Sequence, residues 1–224
     1  MSAGQIGSWQ SAEYVSRWAG EDVVGRMLET PRRISIALVQ DAAADVRHVV
    51  DLGAGEGPFL AECLRAFGAA RGTWLDSSEP MLERARESLA EFGDRVTFVR
   101  ARAEGLESAG VEPADVVVSS RALHHLTPCE LEHAYRAVRG LLRPGGWFFN
   151  LDHVGSAADW EQRYRRIREQ FTGRRREALQ PHREDEPLHP VTDHLLWLER
   201  AGFETLDVPW RMLYTALIAA RAPL

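Results

Sequence analysis

Three glycines, Gly53, Gly55 and Gly57, stand at alternate positions directly after the apolar run Val49–Leu52. A strand that runs into such glycines and is followed by a helix offers a ligand free backbone N–H groups. It also offers the positive end of a helix dipole, with no Cβ in the way. Asp76 follows nineteen residues after Gly57, at the end of the next strand pattern. A carboxylate there can accept hydrogen bonds from both hydroxyls of a ribose. The bland readings are a tight strand-to-helix turn for the glycines and a helix cap for Asp76, Ser77 or Ser78. Ser78 as cap and Asp76 on a ribose are compatible, and the pair of signals points to a nucleoside-containing cofactor. A second group is His124-His125, with Asp152-His153 further on. Either pair could take a proton near neutral pH, or serve structurally. Their spacing fits no standard metal-ligand pattern, so no metal is expected. The chain contains no lysine, which excludes a lysine nucleophile or Schiff base.

The elements around these residues alternate. Strand patterns fall at His48–Leu52, 72–75, 96–99, 114–119 and 147–151. Helical patterns separate them at 59–67, 80–92 and 131–142. Such alternation predicts a parallel sheet with right-handed crossovers. Residues 155–190 break the rhythm with an Arg- and Glu-rich stretch, which reads as a lid. After a helix at 191–201, residues 204–208 and 212–220 read as two adjacent antiparallel strands. Ahead of the sheet, helical patterns at 11–18 and from Pro31 toward Ala44 form a cap over 1–45, with Pro31 expected in the first turn. The whole of 1–224 is thus expected to be one domain with a cap and a lid.

The chain has 224 residues, 45% of them apolar and 27% charged, which is ordinary globular composition. No apolar run approaches the roughly 20 residues of a membrane span. The first ten residues lack the basic and apolar regions of a signal peptide. Two cysteines, Cys63 and Cys129, make no disulfide framework, and a cytoplasmic protein is expected. The net charge of −6 argues against a broad nucleic-acid surface.

Taken in order, four segments resemble class I S-adenosylmethionine-dependent methyltransferases. They are Val49–Gly57, Leu75–Leu82, Ala114–Ser120 with Leu123-His124-His125-Leu126, and Leu142–Gly146. The tail Leu198–Phe203 with its two-strand ending fits as well. The resemblance implies an α/β fold: a doubly wound, mostly parallel seven-stranded Rossmann-like sheet with an antiparallel last strand and a helical cap. It implies S-adenosylmethionine as cofactor and S-adenosylhomocysteine as product. By the same resemblance Gly53, Ala54 and Gly55 pass under the methionyl part of the cofactor, with Asp51 supporting that site. Asp76 holds the ribose, and Ser77 and Met81 line the adenine. Ser119 and Ser120 follow strand four, where carbonyls face the cofactor amine. After strand three the family carries an acid that reaches the adenine amine, where this chain has Arg102. Ala103 can still offer its N–H, and Glu104 can supply the carboxylate.

On the acceptor side, His124, His125 or His153 is the expected base. Tyr14, Trp18, Arg121 and Trp160 are candidate substrate contacts. The lid arginines, Arg163, Arg166 and Arg168 among them, read either as solvated ion pairs or as a site for a carboxylate or phosphate. The reading is methyl transfer to an O, N or C atom of a small organic molecule, such as a specialised metabolite, by a protein for which a homodimer is conceivable. The alternatives are an RNA- or protein-modifying methyltransferase, or a protein of this fold that transfers no methyl group.

Overall fold

The run His48–Leu52 forms β1 and is buried along its whole length. Val49 enters one apolar core, while Val50 and Leu52 enter another on the opposite face. The same period of two recurs in β4 (Ala114–Ser120), where Val116 and Val118 face the first core and Val117 the second. Strands with apolar side chains on both faces require helices on both faces. The chain supplies them as α1 (Asp22–Asp41), α2 (Pro58–Ala66) and α3 (Glu79–Ser88) on the first. On the second lie α4 (Pro128–Leu141) and α6 (Val191–Arg200). The computed structural model describes residues 9–13, 15, 22–172 and 188–224.

The remaining strands are β2 (Arg71–Asp76), β3 (Val96–Arg100), β5 (Leu142–His153), β6 (Thr205–Met212) and β7 (Thr215–Arg221). The sheet order is β3-β2-β1-β4-β5-β7-β6. The first five strands are parallel, and β7 runs antiparallel to both β5 and β6. This is the expected doubly wound topology with its antiparallel ending. Strand order reverses at β1, so a crevice opens above the carboxyl ends of β1 and β4, where open α/β sheets bind ligands.

Local chemistry sets the helix starts. Gly57 adopts φ 81 just before Pro58, whose fixed φ suits a first turn. Ser78 caps α3 by accepting from the Met81 N–H at 3.3 Å. Thr127 and Glu130 form a reciprocal capping box on α4, a cap of the kind worth about 1 kcal/mol.

Some boundaries differ from the sequence reading. Pro31 lies inside α1 rather than at its start. Leu28, Arg32, Ser35 and Val39 form one buried stripe through it, and that burial outweighs the bond a proline forfeits. The helix read over 80–92 ends at Ser88 and gives way to a 3-10 segment, Ala90–Arg95, in which Gly93 turns to φ 53. Strand β5 is longer than 147–151, because Leu142 already pairs with Ala114 across an irregular register.

The excursion after β5 includes α5 (Ala158–Thr172). Its two ends meet: Gly155 bridges to Pro190, and the Gly155 N–H donates to the His189 carbonyl at 2.7 Å. A Cβ on Gly155 would lie 1.9 Å from the Leu188 oxygen, so only glycine fits this junction.

Candidate active site

The three glycines after β1 all have positive φ, at 69°, 55° and 81°. Their reasons differ. A Cβ on Gly53 would sit 2.3 Å from the Ala122 Cβ, and one on Gly57 would strike Leu89. Those two positions are glycine because protein packs against them. A Cβ on Gly55 would meet only the Met81 sulfur, at 3.9 Å. The Gly55 peptide is held at both ends: its N–H donates to Asp76 Oδ2 at 2.9 Å, and its carbonyl accepts from the Trp74 indole N–H at 2.8 Å. Asp76 Oδ1 accepts from the Ser78 N–H at 2.9 Å. The Ser77 N–H bonds the same carboxylate, which with about four lone-pair sites can still accept a further donor. Burial pushes the Asp76 carboxyl up, opposed by the N–H groups of Ser78 and Gly55.

Asp51 sits deeper, 1% exposed. Its Oδ2 accepts from the Leu60 N–H at 3.1 Å, while Oδ1 is buried with no hydrogen-bond partner among the described residues. Burial raises this carboxyl to about 7, against the Leu60 N–H and the Arg32 charge that lower it, and Asp76 adds to the rise. Arg32 reaches in from α1 and pairs with Glu62 of α2 at 3.0 Å, both largely buried. A buried carboxylate oxygen left open beside a glycine loop fits an ammonium group, such as that at the amino-acid end of S-adenosylmethionine.

On the other side of Asp76, Met81 is buried at 2% exposure and the Ser77 carbonyl accepts from the Gln10 amide at 3.0 Å. The Trp9 carbonyl accepts from the Ser78 hydroxyl. Trp9 and Gln10 therefore lie over the end of β2, a contact the sequence did not signal. Ala103 opens a 3-10 turn, Ala103–Ser108, that follows β3. Arg102 pairs with Glu104 through one carboxylate oxygen, and the other, Oε2, is buried without a hydrogen-bond partner. Arg102 thus orients a neighbouring carboxylate that keeps an open acceptor.

The ends of β4 and β5 carry the titratable cluster. The Ser119 hydroxyl donates to the Leu52 carbonyl at 2.8 Å, while the Ser120 hydroxyl is buried with no hydrogen-bond partner among the described residues. Arg121 adopts φ 53, left-handed backbone that is uncommon outside glycine and tends to occur at functional turns. Asp152, 1% exposed, gathers the next turn: it accepts from the His124 N–H at 2.9 Å and the His153 N–H at 2.8 Å. Its Oδ1 also lies 2.5 Å from His124 Nδ1. Burial alone would raise the Asp152 carboxyl, but His124 and His153 hold it well below the usual carboxylate range. The working partner of Asp152 is therefore His124, not the ring of adjacent His153, whose Nδ1 lies 3.3 Å from Thr215 Oγ1.

The His125 ring lies tilted against the His124 ring, 3.9 Å between centroids, and meets the Trp9 ring edge-on at 6.0 Å. Trp160 is 57% exposed on α5, beside Tyr164. Tyr14 and Trp18 lie outside the described residues. No group of three or more His, Cys, Asp or Glu among the described residues could hold a metal ion.

The doubly wound sheet with its antiparallel ending is the Rossmann-like fold of solved methyltransferase structures. Residues 49–146 match the methyltransferase domain family. Trans-aconitate 2-methyltransferase of Rhodopseudomonas palustris is 32% identical over 130 residues, 58% of this chain and 47% of that protein. The hybrid PKS-NRPS synthetase mpsA of Macrophomina phaseolina is 30% identical over 112 residues, 48% of this chain and 3% of that protein. The chain thus spans a small fraction of some curated relatives and about half of others. The methyltransferase SibL, a solved structure, shares the fold with a TM-score of 0.63 at 19% identity, over 90% of this chain and 57% of that one.

Proposed function

We propose that the protein transfers the methyl group of S-adenosylmethionine to an O, N or C atom of a small organic molecule. The observation that carries this reading is a set of three carboxylates at the carboxyl ends of adjacent strands: Asp51 and Glu104, each with one oxygen buried and without a hydrogen-bond partner among the described residues, and Asp76, which holds the Gly55 N–H. They follow one another along the ends of β1, β2 and β3, as the ammonium, ribose and adenine amine do along the cofactor. The cofactor supplies an activated methyl on a sulfonium, so the protein's work is positioning. Asp51, Gly55, Asp76 and Met81 hold one reactant, with Glu104 as the adenine acceptor in place of Arg102.

Where the acceptor must lose a proton, His124 takes it. Asp152 at Nδ1 fixes the tautomer with Nε2 as the basic atom and stabilises the imidazolium that forms. His125 and His153 frame that ring. A small acceptor is supported by the relative named for trans-aconitate. Cytoplasmic placement rests on two free cysteines, Cys63 and Cys129. The test is calorimetric titration with S-adenosylmethionine and S-adenosylhomocysteine, followed by a mass-spectrometric screen for acceptors that gain a methyl group. Micromolar binding of both supports the reading; binding of neither refutes it.

A further inference from the structure

Tyr135 of α4, Asn150 of β5 and His194 of α6 are buried side by side on the second face of the sheet, outside the crevice. The Asn150 amide donates to the Tyr135 hydroxyl at 3.2 Å, and that hydroxyl lies 2.7 Å from His194 Nδ1. The His194 ring also bonds the backbone of His189, whose carbonyl accepts from the Gly155 N–H at 2.7 Å. Burial lowers His194 to about 4, so its ring is neutral at pH 7. A carbonyl only accepts, so the ring donates to His189, and its Nδ1 accepts from Tyr135. The bonds run one way, from Asn150 through Tyr135 and His194 to the carbonyl that Gly155 shares. They leave β5 at Asn150 and return just past its end, closing a circuit around residues 151–154. Helix α6 braces the same circuit, since the His194 N–H donates to the Pro190 carbonyl at 3.4 Å and Pro190 bridges to Gly155.

Asp152 lies inside this circuit. It shares a face with Asn150, because their β7 partners, Ala216 and Ile218, both enter the second core. Burial pushes the Tyr135 hydroxyl up, and the Asp152 charge pushes it further. Asn150 Oδ1 is left buried without a hydrogen-bond partner among the described residues. A polar cluster with an acceptor to spare stabilises a core less than apolar side chains of the same shape, so what it supplies is geometry.

We propose that Tyr135 and His194 are positioning residues: the circuit they complete holds residues 151–154 at both ends and so sets where the Asp152 carboxylate meets His124 Nδ1. This rests on the reading of His124 as base and adds the support of that same pair. Asp152 Oδ1 serves both the His124 ring and the His153 N–H, and Oδ2 serves the His124 N–H. A shift of about 0.5 Å spoils such a fit and frees the ring to take its other tautomer.

The test is nuclear magnetic resonance of the full chain loaded with S-adenosylhomocysteine. The His124 ring-nitrogen shifts, assigned by their loss in His124→Gln, report which nitrogen carries the proton. Amide exchange of Gly155, taken relative to Val50 of β1, reports the junction. The Nδ1–H form is expected to dominate in the parent. Tyr135→Phe is expected to lower the Nδ1–H to Nε2–H ratio about fivefold or more and to speed Gly155 exchange about tenfold over Val50. Tyr135→Phe combined with Asn150→Leu strands no amide, so it regains stability in urea but not the tautomer ratio. His194→Asn still accepts from Tyr135 and is too short for His189, so it lowers the ratio too, and it decides the matter if Tyr135→Phe does not fold. A His124 tautomer unchanged in the folded variants, or exchange that rises equally at Gly155 and Val50, overturns the proposal. So does a parent without an Nδ1–H excess, and in each of these cases the cofactor reading stands. A parent that fails to bind S-adenosylhomocysteine overturns that reading, and the positioning role with it.

Discussion

Cofactor affinity should rise with pH through neutrality because of Asp51. Burial holds this carboxyl near 7 in the cofactor-free protein, and an ammonium partner binds only its charged form. With a midpoint of about 7, roughly a tenth of the molecules are ionised at pH 6 and roughly nine tenths at pH 8. S-adenosylhomocysteine should therefore bind about tenfold more tightly at pH 8 than at pH 6, a difference of about 1.4 kcal/mol. Binding at pH 7 should release about half a proton, measurable by calorimetry in buffers of different ionisation enthalpy. Asp51→Asn keeps an acceptor for the Leu60 N–H but carries no charge. It should bind more weakly at pH 8 and lose the slope, since the histidines nearby are unchanged. The sign for stability is opposite. The folded value lies above the ordinary one of 3.8, so Asp51 favours folding fully below pH 4, and that contribution is lost as pH rises toward 7. Asp51→Asn should thus be at least as stable as the parent at pH 7.5 while binding the cofactor worse. A flat wild-type affinity from pH 6 to 8, or a slope that persists in Asp51→Asn, would refute the assignment of the open Oδ1 to the ammonium.

Asp76→Ala should weaken S-adenosylhomocysteine binding by about 1.5–3 kcal/mol, because a charged acceptor is lost and the Gly55 and Ser78 N–H groups lose their anchor. An unchanged dissociation constant would remove Asp76 from the ribose. Asp152→Asn should lower kcat about a hundredfold or more while leaving S-adenosylhomocysteine affinity and acceptor KM near the parent values. An unchanged kcat and pH profile would mean that His124 is not the base. Gly53→Ala should destabilise the fold by about 2–4 kcal/mol, from positive φ plus the 2.3 Å approach to Ala122, as read by urea unfolding. A smaller loss than 1 kcal/mol would show that the turn after β4 yields easily.

Much of the frame was legible because its signals are local. Buried parallel strands read as apolar runs, and Gly57, Ser78 and Thr127 mark helix starts by chemistry within three or four residues. The Gly53–Gly57 loop and Asp76 were visible for the same reason, and the structure joins them through one hydrogen bond. What the sequence hid depends on pairing across the sheet. Asp152 stands next to His153 in the chain, yet its side chain serves His124, twenty-eight residues away, because β4 and β5 end side by side. Tyr214 lies in a turn with no motif, and only the antiparallel return of β7 brings it to His153. Pro31 misled because its local signal says helix start, while the stripe Leu28–Val39 that overrides it shows only once its partners are packed.

The junction at Gly155 and Pro190 brings the two ends of the intervening stretch together at one point, beside the end of β5 and the start of α6. Strand β5 and helix α6 are anchored to each other whatever the loop contains. Its length can therefore change at a cost that grows only logarithmically, about 0.6 kcal/mol for each doubling. An arginine-bearing helix could be exchanged for another there without moving Asp152 or His153, which lie just ahead of the stitch. Gly155 is thus the boundary between the sheet end that carries Asp152 and His153 and an excursion whose content is free to vary.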